Sequence, residues 1–147
     1  MLLRSIISIL LFTFVIGADA QVSVNVFING IKSGQYSIKA DESKGGGIFY
    51  KKSVYKSAER LAIELKGNDM EKAMYKRSVD VTDGAEHSLY LATETPDIKG
   101  QFVISGKGIL KRLAKGKPVT LYLLLNPAND KMMAPSRKLY IGSLSAK

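Results

Sequence analysis

Apolar and polar side chains take turns along most of this chain, and a period of two is the pattern of a β-strand with one buried face. Val22, Val24 and Val26 alternate with Ser23, Asn25 and Phe27. Residues 75–82 alternate again, and 88–92 and 101–104 read as further short strands. The strongest run is 118–125, where Val119, Leu121, Leu123 and Leu125 share one face. Tyr122 and Leu124 make its other face partly apolar, as expected of a central strand. A last strand over 138–146 places Leu139 and Ile141 inward.

Turn chemistry punctuates these runs. Asn29-Gly30 is a strong hairpin signal, and 31–39 reads as the returning strand, with Tyr36 and Ile38 on one face. A Gly-rich loop over 41–47 precedes a strand opening at Ile48. Asp83-Gly84, Pro96-Asp97, residues 105–108 and residues 126–130 are further turns. Residues 52–66 fit two patterns. Val54, Ala58, Leu61 and Leu65 have helical spacing, whereas Leu61, Ile63 and Leu65 alternate; we expect a strand from Arg60 to Lys66. Ile109, Leu110 and Leu113 suit one short helical turn ended near Gly116.

About nine short strands follow, with turn signals every 8–14 residues and no long helices between them. That argues against a parallel βαβ sheet and favours an all-β, antiparallel two-sheet sandwich. A small closed β-barrel is the alternative. A strong strand, a turn and a terminal strand are compatible with the last pair of an immunoglobulin-like sandwich, an analogy of fold alone.

The first twenty residues have a different logic. Arg4 precedes an apolar run from Ile6 to Gly17, and Ala18-Asp19-Ala20 forms an A-x-A cleavage pattern. This is the layout of a secretory signal peptide, with Gln21 as the expected mature N-terminus. The run is 12 residues, against roughly 20 needed to span a bilayer. We therefore expect a signal peptide over 1–20 and one exported β-sandwich domain over 21–147. The chain has no cysteine, so a lipoprotein anchor, disulfides and thiol chemistry are excluded. An exported domain without disulfides suggests a bacterial periplasmic or surface setting.

Charge is unevenly spread. Residues 21–98 hold 11 Lys/Arg and 11 Asp/Glu, whereas 99–147 hold 10 Lys/Arg and one acid, Asp130. The densest cations are Lys107, Lys111, Arg112, Lys115 and Lys117, with Arg137 and Lys138 further on. If helical, Lys107, Lys111 and Lys115 form one stripe that could meet an anionic envelope polymer, lipid head groups or an acidic protein. Export makes nucleic acid a poor partner, and no nucleic-acid-binding motif is present.

Catalytic signals are sparse. His87 is the only histidine; Ser88 adjoins it, but neighbours on a strand point to opposite faces. No G-x-S-x-G elbow occurs. Asp80, Asp83 and Glu86 cluster at a turn without the spacing of an EF-hand, and neither Gly45-Gly46-Gly47 nor residues 105–108 match a P-loop. The sequence implies no cofactor and no metal. A carboxylate-dependent hydrolase using Glu59, Glu64, Asp80 or Asp83 and a structural subunit pairing by sheet edges are competing readings. Seven tyrosines, among them Tyr36, Tyr50 and Tyr55, are spread through the expected strands. The reading preferred is a non-enzymatic binding module.

Overall fold

A period-two chain buries its apolar side chains by stacking two sheets face to face, and this chain does so. The computed structural model describes residues 21–39, 46–67, 75–85, 87–129 and 135–147. Nine strands appear among them: β1 (Gln21–Ile28), β2 (Ile31–Lys39), β3 (Gly47–Tyr50), β4 (Leu61–Lys66), β5 (Tyr75–Thr82), β6 (Ser88–Thr93), β7 (Gln101–Val103), β8 (Val119–Pro127) and β9 (Arg137–Ala146). Two short helices join them, α1 (Lys52–Ser57) and α2 (Ile109–Ala114). One sheet has the order β2-β1-β4-β7 and the other β3-β9-β8-β5-β6. They do not close into a barrel. The expected leader over 1–20 and the loop over 41–45 lie outside the described residues.

The core is the set of inward positions that the alternation marks. Val24 and Val26 of β1, Leu61 and Ile63 of β4, and Phe102 of β7 face Val79 and Val81 of β5 and the row Val119, Leu121, Leu123, Leu125 of β8, all fully buried. The β1–β2 hairpin turns at Asn29 and Gly30, both at positive φ (53° and 82°), as a two-residue primed turn requires. The ambiguous stretch 52–66 uses both of its patterns in succession. It is helical over Lys52–Ser57 and extended from Leu61, with a break at 58–60.

One expectation needs correcting. The sandwich is not wholly antiparallel, because β3 pairs parallel to β9, from Gly47↔Ser143 to Tyr50↔Ala146. Side-chain alternation is the same in parallel and antiparallel strands and so carries no direction. β2 runs away from the β1–β2 turn, and β3 runs back toward the end where Tyr50 pairs with Ala146, the direction in which β9 also runs.

Tyrosines stitch that side of the sandwich to β9. Tyr36 of β2 donates its hydroxyl to the Ile141 carbonyl at 2.7 Å, and Tyr55 of α1 donates to the Ser145 carbonyl at 2.8 Å. The β8–β9 register shifts between Thr120 and Tyr122, opposite Gly142. Gly142 (φ 102°) leaves room for the Tyr36 ring, which would lie only 2.7 Å from a Cβ there.

The helical end of the molecule is fixed by register. Ile28 of β1 pairs with Leu61, Thr82 of β5 with Thr120, and Tyr50 with Ala146. The Asn29 carboxamide oxygen accepts the N–H groups of Glu59 and Arg60 at 2.8 and 3.0 Å. The β1–β2 turn, the 58–60 link, the Asp83-Gly84 turn and both helices therefore lie at one end.

Burial, with Tyr140 nearby, pushes the Tyr36 pKa above the ordinary phenol value, and burial, with Tyr50 nearby, does the same for Tyr55. A folded pKa above the unfolded one means that this stabilisation is complete below about pH 10 and lost as pH rises further. Stability measured by urea titration is expected to fall above that pH. Tyr36→Phe should lose about 1 kcal/mol at neutral pH while weakening the alkaline decline.

Candidate functional site

The helical end carries the convergence of charge. In α1, Tyr55 is the buried residue and its hydroxyl is anchored to β9, so Lys52 and Lys56 face solvent. In α2, Ile109 and Leu113 fill the core, leaving Lys111 exposed. Gly108 (φ 78°) precedes the helix, and Gly116 (φ 83°) reverses the chain after it. The two helices touch each other. A shallow groove of about 260 Å³ runs between them, lined by Tyr55, Ala58, Leu110 and Ala114, with Lys56 and Lys111 in its wall. Residues 51–58 and 107–117 together contain eight Lys/Arg and no Asp or Glu. Two described acids also lie at this end, Glu59 exposed and Asp83 half-buried. Glu59 follows α1, and Asp83 holds its own turn.

Of the cations singled out from sequence, Lys107, Lys111, Arg112, Lys115 and Lys117 gather here, and the four lysines are exposed. Arg112 is half-buried, its Nε donating to the Pro118 carbonyl at 3.3 Å. Arg137 and Lys138 are not part of the cluster. Val119 pairs near the end of β9, whereas Leu125 pairs with Arg137, six residues along β8. That is about 20 Å at roughly 3.4 Å per residue. The Lys138 ammonium sits 4.6 Å from the Tyr122 ring centroid on the outer face of its sheet.

Lys51, Lys52 and Lys56 were missed by the sequence reading. They belong to the stretch that is neutral overall, and averaging over it hid a local run of cations. The helical spacing of Val54 and Ala58 was the available signal. Lys52 has a local role, since its Cε would lie 3.0 Å from a Cβ on Gly116, which sets its charge beside the C-terminal turn of α2.

The remaining candidates are held in local structure. His87 is exposed, with Nδ1 3.1 Å from Asp83 Oδ2, while Ser88 donates its hydroxyl to Asp80. The imidazole and the neighbouring hydroxyl thus engage different carboxylates. Glu86 lies outside the described residues, and among those described no group of three His, Asp or Glu side chains is placed to hold a metal. Gly106 lies so close to the Tyr90 ring that a Cβ would meet it at 2.4 Å, a packing reason for that glycine.

Glu64 and Asp80 project from the outer faces of opposite sheets. Register aligns Gln35, Asn25, Glu64 and Gln101 in one row across β2, β1, β4 and β7. The Asn25 Oδ1 and Gln101 Oε1 atoms are buried without a hydrogen-bond partner. At the far end, a cavity of about 640 Å³ contains Arg77 and Glu94. The Glu94 carboxylate is already engaged, by Arg77 at 3.0–3.2 Å and by the Gly100 N–H at 2.6 Å.

Compared with known protein families and with curated proteins, the chain matches none.

The Asp83 turn has a measurable signature at low pH. Desolvation pushes its carboxyl pKa up, but the N–H groups of Ala85 and His87 and the His87 ring outweigh this and hold it below the ordinary aspartate value. The turn is therefore fully stabilised above about pH 4, and the stabilisation is lost as pH falls through the lower folded pKa. Hydrogen-exchange protection of the Ala85 and His87 amides should drop in that range, and Asp83→Ala should remove it at neutral pH.

Proposed function

We propose that the protein is an exported, non-enzymatic β-sandwich module, immunoglobulin-like in topology, that binds an anionic macromolecule of the cell envelope or surface through its helical end. Export is supported by the three-part leader over 1–20. The immunoglobulin-like reading is supported by strand order. With β4 to β9 taken as strands B, C, C′, E, F and G, one sheet runs G-F-C-C′ and the other supplies A-B-E through β1, β4 and β7. In this scheme β2 and β3 are additions at the edges. Folds of this type serve many purposes, so the functional reading rests on the site.

The observation that carries it is the meeting of two basic segments far apart in the chain. Lys51 and Lys56 reach solvent beside Lys111, Lys115 and Lys117, with no acid in either segment. Like charges gathered on one surface repel one another, and an anionic partner relieves that repulsion. The non-enzymatic part is supported by the placement of Glu64 and Asp80 on different sheets and by His87 and Ser88 engaging different carboxylates.

A column bearing immobilised polyphosphate tests this. The exported chain should be retained at low salt and released as salt rises. A Lys111→Gln/Lys115→Gln/Lys117→Gln variant should elute at clearly lower salt, and Arg137→Gln/Lys138→Gln close to wild type. Failure to be retained at low salt, or retention indifferent to salt, would overturn the proposal.

A second reading, association by sheet edges, is favoured by β2, a nine-residue strand at one edge. Sedimentation across a wide concentration range should then show self-association, and a monomer throughout rejects it.

A further inference from the structure

We infer that the helical end docks on an anionic lipid bilayer, an assignment that rests on the reading above and names its partner. Three observations fit a bilayer, and the second and third are features that a soluble polyanion does not use. The first is the kind of cation. Lys51, Lys56, Lys107, Lys111, Lys115 and Lys117 are exposed, whereas the one arginine of the two segments is turned toward Pro118. Lysine is a flexible point charge without the planar fork that grips a single phosphate, which suits a diffuse sheet of head groups. Its four-carbon stem can also lie against apolar surface while the ammonium stays in water.

The second observation is apolar. Ile31 follows the β1–β2 turn at this same end and is 71% exposed, the most exposed large hydrophobic residue described. A soluble phosphate polymer has no use for it, whereas the acyl boundary of a bilayer does. The third is the groove between α1 and α2, where Ala58, Leu110 and Ala114 lie between Lys56 and Lys111. Cations around apolar patches are the combination that binds proteins to an anionic membrane surface, because apolar burial and head-group attraction add. The docked segments are short helices and a hairpin turn, so contact is peripheral and crosses nothing.

The test is cosedimentation of the exported chain with vesicles of phosphatidylcholine alone and of phosphatidylcholine with an equal part of phosphatidylglycerol, run beside the polyphosphate column. Binding is expected to the anionic vesicles only, and to weaken with salt. A lysine near such a surface contributes about fivefold to partitioning, so Lys56→Gln/Lys111→Gln should reduce it roughly 25-fold. Ile31→Ser should weaken vesicle binding roughly tenfold and leave polyphosphate retention unchanged. Polyphosphate retention without vesicle binding overturns the bilayer and leaves the anionic reading standing; loss of both overturns both. An Ile31→Ser chain that binds vesicles as tightly as wild type also overturns the bilayer assignment.

Discussion

The helical end of this protein is positioned by one contact, the packing of the β8 row against β1 and β4. Val119, Leu121, Leu123 and Leu125 are fully buried, and so are the Val24, Val26, Leu61 and Ile63 side chains of the facing sheet. Each such side chain contributes about 1.5–3 kcal/mol when removed from water. Shifting β8 by one residue would send its whole apolar row to solvent, so its register is held firmly. Because β8 follows α2 directly, a fixed β8 register also fixes where α2 emerges.

The helices inherit their orientation from the same core. Each has six residues, too short to be stable alone, and each is held by side chains it sinks into the sandwich: Tyr55 in α1, Ile109 and Leu113 in α2. Burial of those faces decides which residues remain outside, among them Lys52 and Lys56 of α1 and Lys111 of α2, with Ser53 and Ser57 beside the first two. The charge patch is thus a consequence of core packing together with the sequence choice of lysine on the outward faces.

Much of this architecture was legible in the residues. Asn29-Gly30, the β8 run and the short helical segment ending near Gly116 all follow from local rules that tertiary structure did not override. The parallel direction of β3 was not legible, because alternation carries no sign. The site was half legible. A dense run such as 107–117 stays together whatever the fold, but Arg137 and Lys138 look close to it only when distance is counted along the chain. A hairpin of extended strands carries them to the opposite end. Conversely, the α1 lysines are brought in from fifty residues away by helix packing, which no local pattern encodes. The row formed by Gln35, Asn25, Glu64 and Gln101 was invisible for the same reason, since it exists only through strand register.

The parallel pairing of β3 with β9 has a mechanical side. β9 is hydrogen-bonded on both flanks, to β8 and to β3, and Tyr36 and Tyr55 tie its carbonyls to the opposite sheet and to α1. Tension applied along β9 would load these ladders in shear, with many bonds sharing the force at once rather than opening one by one. A protein tethered through this strand would resist a steady pull far better than one hung from an outer hairpin.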